Sequence, residues 1–222
     1  MKVTVDAVVF AYIEKELNIL LIKRAFEPFK GQLALPGGFI NENENAYESV
    51  IRKLKEETNV DLSYIEQLYT FTAIDRDPRE RIISIAYYAL INPKNQKLTT
   101  NVHASEVHWF PVKDLKLDKL AFDHRKIIHW ARIRLANKIK YEPIGFELLS
   151  KQFTMNELYD LYCAVLDDQI DRRNFIKKIN SFKVLRETKN MTTGHIGRRA
   201  KLYEFDKKKY DELSKNGFNF DI

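Results

Sequence analysis

The stretch at positions 38–60, GFINENENAYESVIRKLKEETNV, constrains the fold of this chain more than any other part of it. It follows the turn signal Pro36-Gly37-Gly38. Apolar residues within it have the spacing of an amphipathic helix over residues 44–58, namely Ala46, Tyr47, Val50, Ile51 and Leu54. Positions 53, 56 and 57 lie within about 100° of one another on one helix face. Two of these positions are the carboxylates Glu56 and Glu57, and position 53 is a lysine.

The residues on either side of this helix predict an α/β fold. We expect strands, rich in Val, Ile and Leu, at residues 3–12, 18–24, 64–74, 82–92 and 106–111. A second helix is expected at 121–139, with an apolar set of Ile127, Ile128, Trp130, Ala131, Ile133 and Leu135. These elements assemble naturally as an α/β/α sandwich on a mixed sheet. The first domain is therefore expected to cover residues 1–140.

The character of the chain changes at Tyr141-Glu142-Pro143-Ile144-Gly145, which ends the long helix and begins a second domain, residues 141–222. Thr154 and Glu157 have the spacing of a capping box at a helix start. That helix has a predicted core face of Leu158, Leu161, Tyr162 and Val165. A second helix at 171–182 would bury Phe175, Ile179 and Phe182. Short strands at 184–185 and 200–205 would enclose a loop carrying Lys189, Arg198 and Arg199. This order is typical of a winged helix-turn-helix.

Positive charge is concentrated in this second domain. The whole chain has a formal net charge of +6, whereas residues 170–201 alone carry ten Lys and Arg against two Asp and Glu, a local charge of +8. Such a patch favours a polyanionic partner. A charged helix face is more often merely solvated, but the hairpin and the domain order favour double-stranded DNA over that alternative and over RNA. The predicted DNA contacts are Arg173, Asn174, Lys177, Lys178, Arg198 and Arg199.

Other features limit where the protein acts. No apolar run approaches the roughly 20 residues that a membrane helix needs, and the N-terminus lacks the build of a signal peptide. The single cysteine, Cys163, excludes an internal disulfide and fits a reducing compartment. We therefore expect a cytoplasmic protein with no membrane partner.

The stretch at 38–60 resembles the Nudix box, G-x5-E-x7-R-E-U-x-E-E-x-G-U, where U is aliphatic. The matching positions are Gly38, Glu44, Arg52, Leu54, Glu56, Glu57 and Val60. The two departures are Lys53 for Glu and Asn59 for Gly. The resemblance implies that Gly38, Glu44 and Arg52 have structural roles. Asn59 is tolerable because asparagine can end a helix in the left-handed conformation.

Lys53 changes the expected chemistry. It removes one metal ligand or base and lies within salt-bridge reach of Glu57, so that Glu56 and Glu57 would hold a metal weakly or not at all. We assign no catalytic residue and no cofactor firmly, and we expect Mg²⁺ only if some hydrolysis remains. The alternative is that Glu56 and Glu57 are simply solvated. Candidate phosphate contacts for an effector are Lys23, Arg24, Arg76 and Arg79, because arginine can donate two parallel hydrogen bonds to a phosphate.

The whole chain resembles the Nudix-related transcriptional regulators of the NrtR type, through RDPRERIISIAYYAL, YEPIGFELLSKQFT and IDRRNFIKKI. This resemblance implies a homodimer whose Nudix half senses ADP-ribose, a related nucleotide sugar or a sugar, and whose winged helix binds DNA. The second hypothesis is a metal-dependent Nudix hydrolase similar to ADP-ribose pyrophosphatase, against which Lys53 argues. The sequence leaves open the effector, the operator, any residual hydrolysis and the choice between repressor and activator.

Overall fold

A mixed β-sheet forms the centre of the first half of the molecule. The computed structural model describes residues 1–96, 98–99, 104–115, 120–192 and 199–222. These residues divide into two units, Met1–Arg134 and Leu135–Ile222. The division falls inside a helix, six residues before the boundary expected from the sequence.

Seven strands make up the sheet of the first unit within the described residues. They are β1 Lys2–Ile13, β2 Glu16–Arg24, β3 Leu33–Ala34, β4 Gly37–Phe39, β5 Tyr64–Phe71, β6 Ile82–Ile91 and β7 Ala104–Pro111. The strand order is β3-β2-β1-β6-β5, with β4 also paired to β1 and β7 to β2. β1 and β6 run parallel, and the other neighbours run antiparallel. The predicted mixed α/β fold is confirmed.

Helix α1, Ala46–Thr58, follows β4 and packs on β1 and β4. It begins with a capping box: Asn45 and Glu48 each accept the other's backbone N–H in their side chains. It ends at Asn59 in the left-handed conformation, with φ 55°, as predicted. Tyr47 and Ile51 are 53% and 36% exposed. Their assignment to the buried face is wrong because the sheet covers only the side of α1 that carries Val50 and Leu54.

Helix α2, His124–Lys138, is the second long helix. Ile127, Ile128 and Ala131 are buried as predicted. Trp130 and Ile133 are exposed, contrary to the prediction. The ring of Trp130 stacks on Tyr69 of β5 with 6.5 Å between centroids, so these two aromatic side chains cover each other at the surface.

The second unit has the predicted winged-helix order. It contains α3 Met155–Leu166, α4 Arg172–Phe182, β8 Leu185–Met191, β9 Lys201–Phe205 and α5 Lys207–Lys215. Thr154 and Glu157 form the predicted capping box of α3. The predicted core faces of α3 and α4 are buried in full.

Two features of this unit differ from the expectation. Lys189 lies in β8 rather than in a loop, because β8 extends to Met191 and pairs there with Lys201. Helix α5 was not anticipated: its lysine-rich sequence buries no residue, so that it carries no apolar signature. Residues 193–198, including Arg198, lie outside the described residues. None of the helices in the described part of the chain is long and apolar enough to cross a membrane.

Candidate functional site

A cavity of about 360 Å³ opens beside β4 and α1 in the first unit, a volume typical of small-molecule sites. Strands β1, β2 and β4, helix α1, the start of helix α2 and the loops beside these elements supply its walls. The residues that line it include Asp6, Arg24, Gly37, Gly38, Phe39, Lys53, Glu57, Arg76, Asp77, Arg79, Phe122 and His124. The cavity therefore brings together the Nudix-like helix and three of the four predicted effector cations.

Arg52 ties the loop before α1 to the helix itself. Its guanidinium donates to both carboxylate oxygens of Glu44, with Nε to Oε2 at 2.8 Å. This pairing holds the pKa of Glu44 at about 2. Arg52 also donates from Nη1 to both oxygens of Glu56 at 3.2 Å, so that one arginine binds two carboxylates. This geometry accords with the structural role proposed for Glu44 and Arg52.

Lys53 pairs with Glu56 rather than with Glu57, with 3.3 Å between Nζ and Oε2. The Lys53–Glu57 salt bridge expected from the sequence is not formed, because Glu57 turns inward and accepts the backbone N–H of Gly37 at 3.0 Å. Glu57 is 4% exposed. Its burial raises its pKa to about 7, against the opposing effects of the Gly37 hydrogen bond and of Lys53.

The donor set on α1 does not fit a divalent metal. One of its two carboxylates, Glu56, already pairs with Arg52 and Lys53, and the other, Glu57, is buried against Gly37. Nowhere in the described residues do three or more His, Cys, Asp or Glu side chains meet in a group that could hold a metal ion. Lys53 replaces a negative ligand with a fixed positive charge at the point where the ion would bind.

The two glycines of β4 meet different neighbours. A Cβ on Gly37 would lie 2.2 Å from the carbonyl oxygen of Val5, whereas a Cβ on Gly38 would lie 2.8 Å from Cε of Lys53. We expect Gly37→Ala to lower the free energy of unfolding by about 3 kcal/mol, because backbone cannot move away cheaply. Gly38→Ala should cost less than about 1 kcal/mol, because the flexible lysine end can shift. Urea titration tests this, and equal losses would contradict it.

Arg76 departs from the expectation of a surface arginine. Its side chain is 3% exposed and pairs with Asp123 at 2.8 Å and with Asp6 at 3.4 Å. Asp6 also accepts from Ser84 and lies 3.4 Å from Nε2 of His124. Burial by itself would raise the pKa of Asp6, but His124, Arg76 and Ser84 together lower it to about 2. Arg76 borders the cavity with its charge already compensated.

Arg24 and Arg79 are the other two arginines that line the cavity, with Arg79 exposed and Arg24 half-buried. Both lie over the ring of Phe122, with guanidinium carbons 4.8 and 5.7 Å from its centroid, and Arg79 also lies 5.3 Å from the centroid of Phe39. Asp77 holds Arg79 through two hydrogen bonds, at 3.0 and 2.7 Å. Burial and the neighbouring charge of Arg79 lower the pKa of Arg24. These two arginines are therefore oriented for an anion within the cavity.

Lys23 does not line the cavity. Its ammonium pairs with Glu106 at 2.9 Å on an exposed part of the sheet. This position follows from strand alternation, since Lys23 and Arg24 point to opposite faces of β2. Sequence reasoning did not identify Phe39, Asp77, Phe122 or His124, because no local pattern marks them; only the charged, Pro-containing loop near Asp77 gave a signal.

The outer face of α4 presents the predicted DNA-reading residues. Arg173, Asn174, Lys177 and Lys178 are all exposed. Phe175, Ile179 and Phe182 are buried and anchor the helix in the core of its unit. At its start Asp171 caps the helix, because its side chain accepts the N–H of Asn174. Lys178 pairs with Asp221 at 3.3 Å. Among the described residues, the side chains of Arg173 and Lys177 have no ion-pair partner.

Part of the basic segment is compensated by residues that lie outside it. Arg186 pairs with Glu204, which lies outside the segment, whereas Lys201 pairs at 2.8 Å with Glu187, which the segment charge already includes. Arg199 is exposed beside the start of β9. The +8 counted along the sequence therefore overstates the charge available to a partner, because Glu204 and Asp221 offset two of its cations.

A mixed sheet with a glycine turn leading into the α1 helix, followed by a winged helix with a basic outer face, defines a Nudix domain joined to a DNA-binding domain. Residues 2–131 match the family model of the NUDIX domain. Residues 145–205 match that of the NrtR DNA-binding winged helix domain. The chain belongs to the NrtR family of Nudix-related proteins.

Named transcriptional regulators are similar to this protein over nearly the whole chain. An ADPR responsive transcriptional repressor from Acinetobacter baylyi is 35% identical over 98% of this chain and 84% of its own. Shewanella oneidensis NrtR, in its crystal structure with a 27mer DNA, is 34% identical with a TM-score of 0.81, covering 98% of this chain and 97% of that chain. The NUDIX domain of the Shewanella protein, crystallised with ADP ribose, is 42% identical with a TM-score of 0.57, covering 61% and 88%.

Proposed function

We propose that this chain is a homodimeric transcriptional regulator whose winged helix binds double-stranded DNA and whose Nudix domain binds ADP-ribose without hydrolysing it efficiently. The observation that carries the proposal is the exposed, uncompensated face of α4 around Arg173 and Lys177. It lies in a chain that is similar over its full length to an ADPR responsive repressor and to an NrtR bound to DNA. Such a regulator acts where the DNA is, which agrees with a cytoplasmic location.

The cavity supports a diphosphate-bearing effector. Arg24 and Arg79 present two guanidinium groups, and arginine binds phosphate oxygens in pairs. The Shewanella relative binds ADP ribose in the equivalent domain. For the effector to control DNA binding, it must bind more tightly to one arrangement of the dimer than to the other.

Binding of the purified protein to the DNA upstream of its own gene tests this function. Fluorescence anisotropy with and without ADP-ribose, at two salt concentrations, separates specific binding from a salt-sensitive background. Sequence-preferring binding that ADP-ribose shifts is the expected result. Specific binding that ADP-ribose leaves unchanged would support the regulator but indicate that its effector is a different molecule, such as a sugar. If only the salt-sensitive background binding is seen, the proposal that this protein is a DNA-binding regulator would be contradicted.

Two substitutions on α4 should separate base reading from phosphate binding. Arg173→Ala should weaken binding to the specific site by about 1–3 kcal/mol and relax its sequence preference. Lys177→Ala should weaken binding to all sequences and reduce the salt slope by about 1. Arg81→Ala, an exposed change in the Nudix unit, is the matched control and should have no effect. If neither α4 substitution changes binding more than this control, α4 is not the reading helix.

Hydrolysis is the competing function for the same cavity. The occupied carboxylates of α1 lead us to expect no efficient metal-dependent turnover of ADP-ribose. Proteins with a Nudix domain generally use a divalent metal, so the assay should include Mg²⁺ and Mn²⁺. Robust turnover by the unmodified chain would contradict this part of the proposal.

A further inference from the structure

Lys53 is a built part of the cavity wall rather than a free surface lysine. Its side chain is only 16% exposed and lines the same cavity as Arg24, Arg79 and Glu57. It lies against Gly38, where a Cβ would come within 2.8 Å of Cε and 3.3 Å of Nζ. The absence of a side chain at position 38 therefore makes room for the lysine.

The ammonium group is held in place with donors to spare. Glu56 accepts one hydrogen bond from Nζ at 3.3 Å and is itself held by Arg52 through two contacts at 3.2 Å. A lysine ammonium has three N–H donors. The pairing with Glu56 thus orients the group while two donors remain for a ligand.

Three of the four carboxylates that line the cavity are already engaged by neighbouring donors. Asp77 is engaged by Arg79, Asp6 by Arg76 and Ser84, and Glu57 by the N–H of Gly37. Glu27 also borders the cavity. A bound diphosphate would accept hydrogen bonds from the N–H groups of Lys53, Arg24 and Arg79 that remain available.

We propose that Lys53 takes the place of the divalent cation and binds the diphosphate directly, together with Arg24 and Arg79, so that effector binding needs no metal. The proposal rests on the function proposed above, namely that this cavity binds ADP-ribose. The chemistry is that of a fixed ammonium on a phosphate, as a lysine provides in other phosphate sites. The lysine that removes the metal ligand would thus also supply the positive charge that the metal would have brought.

Calorimetric titration of the full chain with ADP-ribose, in EDTA and again in Mg²⁺, tests the proposal. The unmodified protein should bind equally in both. Lys53→Gln should weaken binding by about tenfold to a hundredfold in both, because a charge-assisted contact is lost. Lys55→Gln, two residues along the same helix and paired with the exposed Asp61, is the matched control and should bind normally. Binding that requires Mg²⁺, or that Lys53→Gln leaves unchanged, would overturn the proposal.

Gly38→Ala provides a test that changes no charge. The added methyl group must displace the end of Lys53, so diphosphate affinity should fall while the protein stays folded. Titration with ADP separates the role of Lys53 in diphosphate binding from the proposal that ADP-ribose is the effector. If ADP binds in EDTA and depends on Lys53 while ADP-ribose does not bind, the effector assignment is wrong and the diphosphate site stands. If neither ligand binds, or ADP binds independently of Lys53, the role of Lys53 is refuted.

Discussion

Replacing Arg76 by methionine is expected to destabilise the Nudix unit by about 3–5 kcal/mol. The substitution keeps most of the side-chain volume but removes the cation shared by Asp6 and Asp123, whose side chains are 10% and 7% exposed. Two buried carboxylates would then lack their guanidinium partner, and an uncompensated buried charge is costly. Since domains are stable by roughly 5–15 kcal/mol, a large part of the unit's stability would be lost.

Tryptophan fluorescence during urea unfolding would measure this effect selectively. The chain has two tryptophans, Trp109 and Trp130, and both belong to the first unit. Arg81→Met is the matched control, an exposed arginine in the same loop, and should change stability by less than about 0.5 kcal/mol. A stable Arg76→Met protein that has lost ADP-ribose binding would instead support the original interpretation of Arg76 as an effector contact.

The second large effect concerns Glu57, whose pKa is raised by burial to about 7 from 4.5. The folded state then binds more protons than the unfolded state between these two values. Stability of the unmodified protein should therefore fall as the pH rises from about 4.5 to 7, and it stays lower above that. Glu57→Gln removes this dependence and can still accept the N–H of Gly37. Relative to the unmodified protein, the variant should gain about 2 kcal/mol between pH 5 and pH 8.

The free energy of unfolding of Glu57→Gln is compared with that of the unmodified protein at pH 5 and at pH 8. Any effect of the glutamine that does not depend on pH then cancels. Glu42→Gln, an exposed change in the loop before α1, should give the same difference from the unmodified protein at pH 5 and at pH 8. If Glu57→Gln also shows a constant difference, Glu57 does not change its protonation between these pH values in the folded protein.

Helices α1 to α4 were predictable from the sequence because their signals are local. The capping box at Thr154, the left-handed end at Asn59 and the buried face of α4 all depend on residues within a few positions of one another. The long strands were predictable for the same reason, as runs of β-branched residues. β3 and β4, with two and three residues, are too short to give such a pattern.

The state of individual charges was not predictable, because it depends on distant partners. The buried Arg76 pairs with Asp6, 70 positions away in the sequence, and with Asp123, 47 positions away. Lys53 could reach position 56 or 57 equally well on a helix, and the inward turn of Glu57 toward Gly37 decides between them. The segment charge of +8 similarly ignored Glu204 and Asp221.

The intact surroundings of Lys53 have a genetic consequence. Lysine codons differ from glutamate codons only in their first base, so a single transition at codon 53 would return the acidic residue to this helix. The Arg52–Glu44 pair, the Asn59 helix end and the Gly37–Glu57 hydrogen bond are already in place to receive it. Selection for the ability to degrade ADP-ribose would therefore act first at that base, because its change returns a carboxylate to position 53.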